Sequence, residues 1–377
     1  MKIGVLTHPL LGNYGGILQA YAMVQVLRDM GHDAYNLEYE PRNYLKRTSK
    51  KSRRIKEALR ILMLKWGLTW FDFPTPQTLK VSMANYFKNR HIPTLTIEKA
   101  GKYDADALSL DACVVGSDQV WRGAYAQQMK TLPFYFLDFV PETLRRNSIS
   151  YAASFGSDTW EGNEQDTRLC ADLLQGFKAV SVREDSGIEL CHSHFGVSAE
   201  RMPDPTMLLS AERYSELISQ DETWLPNEKF ISAYVLDKSP HISQSLNEAA
   251  RASKLKLQQL KALTQAKDVR ERFPLNIVQW LRMIRDCECL ITDSFHGCVF
   301  AIMFNTPFVC LGNKKRGTSR FDSLLGRYGL QDRLVVDAAP DKILSVMNNC
   351  IDWSAVNEIR SQEQRRGLDF LKNTLPA

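Results

Sequence analysis

Short apolar runs alternate with stretches of helical periodicity through the first half of this chain. Residues 2–7 read as a strand. Residues 16–30 read as a helix, with Ile17, Ala20, Tyr21, Val24 and Leu27 on one side at helical spacing. Gly31 stops that helix, and 34–39 returns as a strand. Residues 112–115, 148–152 and 179–182 read as further strands, with a helix at 168–177 between the last two. Strands joined by amphipathic helices predict a doubly wound parallel sheet.

Met202-Pro203-Asp204-Pro205-Thr206 breaks the pattern, because two prolines flank an aspartate. A second alternating set follows: strands at 230–236 and 257–263, a helix at 277–285, a strand at 289–292, a helix at 296–304 and a strand at 307–311. From Ala339 onward the tail reads as helical. The pattern predicts an α/β protein of two Rossmann-like domains, 1–209 and 210–377, facing a cleft and closed by a C-terminal helix. That is the GT-B arrangement, in which ligands sit at the carboxyl ends of the strands.

The length of 377 residues suits two ordinary domains, and 44% apolar with 24% charged residues permits packed cores. The net charge of +5 is mild but uneven. Between Lys46 and Arg60 eight basic residues face one acid, Glu57, so this window carries +7 and the rest of the chain −2. The basic stretch lacks interleaved aromatics, which argues against nucleic-acid binding. Several of the eight cysteines lie inside apolar runs, as reduced buried cysteines do. The first residues read directly as a strand rather than a signal peptide, so a cytoplasmic location is expected. No CxxC pair occurs, and Cys191-His192-Ser193-His194 reads as a helix end, so no metal is expected.

Candidate chemistry lies where strands end. Leu11-Gly12-Asn13-Tyr14-Gly15-Gly16 joins the first strand to the first helix. Its glycines suit close approach to a ligand, free N–H groups at the helix start suit an anion, and Asn13 adds a hydrogen-bonding side chain. A plain tight turn is the alternative. Val115-Gly116-Ser117-Asp118-Gln119 presents Ser117 and Asp118 either as site residues or as a cap for the next helix. Ser154 in Ala153-Ser154-Phe155-Gly156 repeats the strand-then-polar pattern. Arg183 at another strand end suits a bidentate clamp on phosphate or carboxylate, or a salt bridge with Glu184 or Asp185. Asp293-Ser294-Phe295-His296-Gly297 delivers Asp293 and Ser294 from a strand and opens a helix with His296, whose base-competent form the helix dipole favours. Gly312-Asn313-Lys314-Lys315-Arg316-Gly317-Thr318-Ser319-Arg320 puts four cations in one loop, as an anion-binding lid or a solvated surface loop.

Taken in order, these segments resemble the polysaccharide pyruvyl transferase family. The residues that carry the resemblance are Gly12-Asn13-Tyr14-Gly15-Gly16, Val115-Gly116-Ser117-Asp118-Gln119-Val120-Trp121, Tyr151-Ala152-Ala153-Ser154-Phe155-Gly156, Ser181-Val182-Arg183-Glu184, Asp204-Pro205-Thr206, Asp293-Ser294-Phe295-His296-Gly297 and Ser319-Arg320-Phe321. The resemblance implies transfer of the enolpyruvyl carbons of phosphoenolpyruvate onto two sugar hydroxyls, giving a pyruvate ketal and phosphate in bacterial cell-surface polysaccharide synthesis. It implies no cofactor beyond that donor substrate, and it places Asp118, Arg183 and His296 in the site. His296 is then the acid/base, Asp118 a hydroxyl-orienting group or second base, and Arg183 and Arg320 the anion clamps. Asn13, Gly15, Gly16, Ser117, Ser154, Ser294 and Lys314 complete the expected substrate contacts. Two departures stand out: many members carry an acid in the glycine loop, and many carry an Arg where this chain has Ser294. Arg320, or Lys314 with Lys315, is expected to compensate.

The stretch 46–70, opened by Lys46 and closed by Trp70, places cations before Leu, Met and Trp. That suits peripheral contact with an anionic membrane and a lipid-linked sugar acceptor, or an insertion packed on the domain. A nucleotide-sugar glycosyltransferase and a non-catalytic glycan-binding relative share the architecture.

Overall fold

The computed structural model describes residues 1–39, 75–97, 108–125, 132–220, 226, 228–237, 239–263, 269–312 and 318–376. The basic stretch 46–70 and the loop residues Lys314, Lys315 and Arg316 lie outside the described residues.

Each half is built on a five-stranded parallel sheet. In the first, β1 (Lys2–Leu6), β2 (Asp33–Tyr39), β3 (Thr94–Ile97), β4 (Ala112–Val115) and β5 (Ile149–Ser150) lie in the order β3-β2-β1-β4-β5. Single bridges from Ile149 to Ala179 and from Ala153 to Val182 extend the pattern to β6 (Ser181–Val182), which pairs with β7 (Glu200–Arg201). The helices of this half are α1 (Tyr14–Asp29), α2 (Thr75–His91), α3 (Glu142–Arg145), α4 (Glu164–Leu174) and α5 (Asp185–Phe195). All four residues of β4, Ala-Cys-Val-Val, are buried, as a central strand covered on both faces requires.

The second half opens with α6 (Ala211–Ser219). Its strands are β8 (Phe230–Tyr234), β9 (Lys256–Gln259), β10 (Cys289–Thr292), β11 (Phe308–Leu311) and β12 (Leu334–Val335), in the order β12-β11-β10-β8-β9. Its helices are α7 (Pro240–Ser253), α8 (Ile277–Arg285), α9 (Phe295–Phe304), α10 (Ser319–Arg327), α11 (Pro340–Asn348) and α12 (Trp353–Thr374). The fold is therefore GT-B-like, α/β with two parallel sheets and a C-terminal helix. No helix among the described residues is long and apolar enough to cross a membrane.

Two differences from the sequence pattern bear on the site. The first helix starts at Tyr14 rather than Gly16, so Gly15 and Gly16 lie inside its first turn. Gly12, at φ +117°, is the residue that turns the chain. The strand expected at 257–263 ends at Gln259, because the chain leaves the sheet edge there.

The halves are tied together in several places. The Tyr14 hydroxyl donates to the Leu275 carbonyl, and its ring meets Trp280 edge-on at 6.1 Å. The last helix, α12, returns to the first half: Gln364 donates to the Leu208 carbonyl at 2.8 Å, and the buried Glu363 accepts from Arg201 at 2.7 Å and from Arg327 of α10. A division at 209 and 210 thus separates the sheets, while α12 packs on both halves.

Candidate active site

The site begins with a local device of the second half. The buried strand β10 ends at Thr292, and Ser294 caps α9 by accepting the Gly297 N–H at 3.3 Å. That cap puts His296 in the first helical turn, only 6% exposed. The ring then lies against Gly15 of the first half. A Cβ at Gly15 would fall 2.1 Å from His296 Nδ1, and one at Gly16 would fall 2.9 Å from an Asp118 carboxylate oxygen. Both glycines are needed for close packing of protein on protein, where the sequence suggested approach to a ligand.

Asp204 is the centre of the polar cluster. Its Oδ2 accepts from Ser117 Oγ at 2.9 Å and from Arg183 Nη1 at 3.1 Å, and lies 3.4 Å from His296 Nε2. The last is an ion-pair distance whose angle falls short of a hydrogen bond. Oδ1 accepts from the Thr206 N–H and hydroxyl at 3.0 and 2.7 Å. Burial opposes the charge on Asp204, but His296, Arg183 and Thr206 outweigh it and hold the carboxyl well below its usual range. The Pro-Asp-Pro-Thr segment that reads as a chain breaker therefore carries a site residue. The prolines fix the turn, and Thr206 locks the carboxylate.

Asp118 follows β4 at φ +78°, a left-handed conformation costly for a residue other than glycine. Its Oδ1 accepts from the Gln119 N–H at 2.9 Å, and its Oδ2 from Asn13 Nδ2 at 3.1 Å. Burial pushes its pKa up, yet His8, His296 and Arg183 more than compensate and leave it below the ordinary value. Asp118 caps no helix. It links the glycine segment to the cluster through Asn13.

Arg183 departs from the free clamp suggested by its strand-end position. It is buried, paired with Glu184 at 3.0 Å and Asp204 at 3.1 Å, and stacked 4.1 Å over the Phe295 ring. One guanidinium nitrogen, Nη2, is buried with no hydrogen-bond partner among the described residues. Ser154 is fully buried and donates to Glu184 at 2.8 Å while accepting the Gly156 N–H, so its hydroxyl is engaged within the protein. Ser117 and Ser294 are engaged in the same way, one between Arg183 and Asp204 and the other as a helix cap. Asp293 accepts the Leu236 and Asp237 N–H groups and holds the loop after β8.

Arg320, in the first turn of α10, is the cation left available. It is half-buried with no ion-pair or hydrogen-bond partner among the described residues. Burial and the neighbouring Arg183 lower its pKa, against the pull of Glu184, Asp118 and Tyr125. Among the described residues no group of three His, Cys, Asp or Glu is placed to hold a metal ion. At the end of α5, Cys191 is buried and His192 and His194 are exposed.

Two residues of the cluster have no site role in the sequence reading: His8, and Asp204, which enters there only in the Asp204-Pro205-Thr206 segment that carries the resemblance. His8 directly follows the buried Thr7 at the carboxyl end of β1, a position that the strand pattern marks.

The family model for polysaccharide pyruvyl transferase matches residues 13–315. No curated protein matches the chain. Among solved structures, one assigned as a UDP-N-acetylglucosamine 2-epimerase from Listeria monocytogenes has a TM-score of 0.52 at 10% identity, covering 99% of this chain and 96% of that one. The UDP-GlcNAc 2-epimerase from Neisseria meningitidis, bound to UDP-GlcNAc, has a TM-score of 0.51 at 11% identity, covering 100% and 99%. At such identity these likenesses concern the fold, and they agree with the two-sheet GT-B-like architecture. The family match spans most of the chain and includes Asn13, Gly15, Gly16, Asp118, Arg183, Asp204 and His296: the chain belongs to the polysaccharide pyruvyl transferase family.

Proposed function

We propose that this protein transfers the enolpyruvyl carbons of phosphoenolpyruvate to two hydroxyls of a sugar in a polysaccharide precursor, forming a pyruvate ketal and releasing phosphate. The observation that carries this reading is the pairing of His296 with the buried Asp204 in a cluster beside the unpartnered Arg320.

Ketal formation needs a proton donor for the methylene carbon, a base for the hydroxyls and a clamp for the anionic donor. His296 serves as acid/base, with Asp204 fixing its ring and supporting the charge of its donating form. Arg320 is the main clamp, assisted by the free Nη2 of Arg183; the other Arg183 nitrogens are already committed to carboxylates. Lys314 and Lys315, just before α10 in the sequence, are proposed to add charge to the donor site. Asp118, held below the usual carboxylate range, orients a hydroxyl better than it removes a proton. The donor metabolite and the free, mostly buried cysteines suit a cytoplasmic reaction. The stretch 46–70 is proposed as the contact for a membrane carrying a lipid-linked acceptor.

The test is phosphate release from phosphoenolpyruvate with a panel of pyranosides bearing adjacent or 4,6-paired free hydroxyls, with mass spectrometry of the product. A pyruvate ketal formed by the wild type and lost in His296→Ala supports the reading. Release of a nucleotide from UDP-sugars instead would replace it with glycosyl transfer.

A further inference from the structure

The mechanism just proposed leaves a proton unassigned. Two hydroxyls each lose a proton; one proton goes to the methylene carbon and one to the departing phosphate oxygen. A single imidazole cannot both protonate carbon and accept from the attacking hydroxyl in one addition. Asp118 is a poor candidate for the second base, since both its oxygens accept hydrogen bonds.

A second imidazole, His8, also acts on Asp118. His8 follows β1 in the first half, and His296 opens α9 in the second. Both attract the Asp118 carboxylate, His8 the more strongly. The His8 ring is fixed by Tyr135: Nδ1 lies 3.1 Å from the Tyr135 hydroxyl, with the rings edge-on at 5.1 Å. Its other nitrogen, Nε2, is buried and has no hydrogen-bond partner among the described residues. A small hollow beside the strand ends is lined by Thr7, His8, Asn36, Glu38 and Tyr135; the centre of a water-sized group has about 10 Å³ to move in, the lower limit for one water or hydroxyl. Asn36 is 1% exposed, and its side-chain oxygen is also buried, with no hydrogen-bond partner among the described residues. Two residues that line one small hollow each carry an unsatisfied polar atom, one able to take a proton and one to accept a hydrogen bond, which is the chemistry an O–H group needs. The partly exposed ring of Tyr125 lies 6.4 Å edge-on from His8, with the Arg122 guanidinium 4.8 Å over it.

Resting on the pyruvyl transfer reading, we propose that the carboxyl ends of β1 and β2 form the acceptor subsite, where a sugar hydroxyl gives its proton to His8 and a second polar group of the sugar bonds Asn36. In the addition step the hydroxyl oxygen bonds to the central carbon of the enolpyruvyl group, its proton passes to His8, and His296 gives a proton to the methylene carbon as the double bond opens. In the second step another hydroxyl attacks the same carbon and its proton passes to His296. The carbon–oxygen bond to phosphate breaks with its electron pair, and His8 returns its proton to that oxygen. Both histidines end as they began, with one ketal and one phosphate formed.

The experiment compares wild type, His8→Ala, His8→Asn and Asn36→Ala as full chains. Phosphate release is measured with phosphoenolpyruvate and the pyranoside panel, and the unfolding midpoint of each variant checks the fold. His8→Ala is expected to lose about 10²–10⁴-fold in kcat with the KM for phosphoenolpyruvate little changed, and to recover in part with added imidazole. Asn36→Ala is expected to raise the acceptor KM by about 3–10-fold, again without a change for the donor. A folded His8→Ala and His8→Asn working at the wild-type rate would overturn the inference and leave the transfer reading standing. A loss accompanied by an equal loss of donor affinity, with no imidazole rescue, would also overturn it. A wild type that releases no phosphate with any member of the panel would take down both.

Discussion

The Oδ2 oxygen of Asp204 lies 3.4 Å from Nε2 of His296, joining the segment after β7 to the first turn of α9. The carboxylate is buried completely and held by Ser117, Arg183 and Thr206. A carboxylate held this firmly presents a fixed negative charge to the imidazole, and fixed placement of charge is what a proton-transfer residue needs beside it.

Replacing Asp204 by Asn keeps the shape and removes the charge. Breaking a buried pair by deleting one partner costs about 3–5 kcal/mol, because Arg183 is left short of a counter-charge. Asp204→Asn is therefore expected to lower the unfolding midpoint by several degrees and to reduce turnover at least as much as it reduces donor affinity. A scanning-calorimetry trace unchanged from wild type would contradict this placement.

The same carboxylate sets a pH dependence. The folded state holds the Asp204 pKa well below the ordinary value of about 3.9, so its contribution is fully present above that value. It is lost as pH falls below about 4. Urea midpoints of wild type and Asp204→Asn should thus differ at pH 7 and converge toward pH 3. A gap that widens on acidification would reverse the sign of the argument.

Gly15 separates two explanations for a glycine. A methyl group there would sit 2.1 Å from His296 Nδ1, so Gly15→Ala is expected to displace the ring, abolish turnover and cost about 1–3 kcal/mol. Gly326 in α10 offers the control: the nearest atom to a Cβ there is the end of the Gln331 side chain at 3.9 Å. Gly326→Ala is expected to be neutral or stabilising by up to about 1 kcal/mol. Kinetics and melting of the two variants side by side check both statements.

Lys80 of α2 rests 4.4 Å over the Tyr14 ring, and no carboxylate among the described residues pairs with it. Burial and then the nearby Lys261 lower its pKa from 10.5 to about 8. A base whose folded pKa is depressed releases its proton more readily when folded, so folding is disfavoured at pH values where Lys80 is charged. Lys80→Met is expected to raise stability at pH 7 by about 1–2 kcal/mol, after allowance for partial solvent exposure. The difference should shrink as pH rises from about 8 toward about 10. Denaturant melts at pH 7 and pH 10 measure it.

The strands and helices that frame the site are legible in the sequence, because apolar runs such as 112–115 and 289–292 survive as buried strands with those bounds. His296, Asp118, Arg183 and Arg320 are legible as polar residues just beyond such runs, and the structure brings them into one cluster. What local sequence cannot convey is how that cluster shares its charges. For Arg183 the sequence leaves open an anion clamp or a salt bridge with Glu184 or Asp185; the structure shows the Glu184 pair and adds Asp204, which reads as punctuation between prolines. His8 carries no motif of its own. Its meaning comes from Asp118, over a hundred residues away, and from a second strand whose Asn36 completes the hollow. The polar residues Ser117, Ser154 and Ser294 follow the site pattern yet are engaged within the protein, because a buried hydroxyl must find a partner whether or not a ligand is near.

The central claim is that this cleft takes phosphoenolpyruvate as its donor, and a calorimetric titration tests it most directly. Phosphoenolpyruvate is titrated into wild type and into Arg320→Met, with UDP as the parallel ligand. The account predicts saturable binding of phosphoenolpyruvate to the wild type, weakened at least about tenfold in Arg320→Met by loss of a charge-assisted contact. Binding of UDP with no heat from phosphoenolpyruvate would contradict it and assign the cleft to a sugar nucleotide.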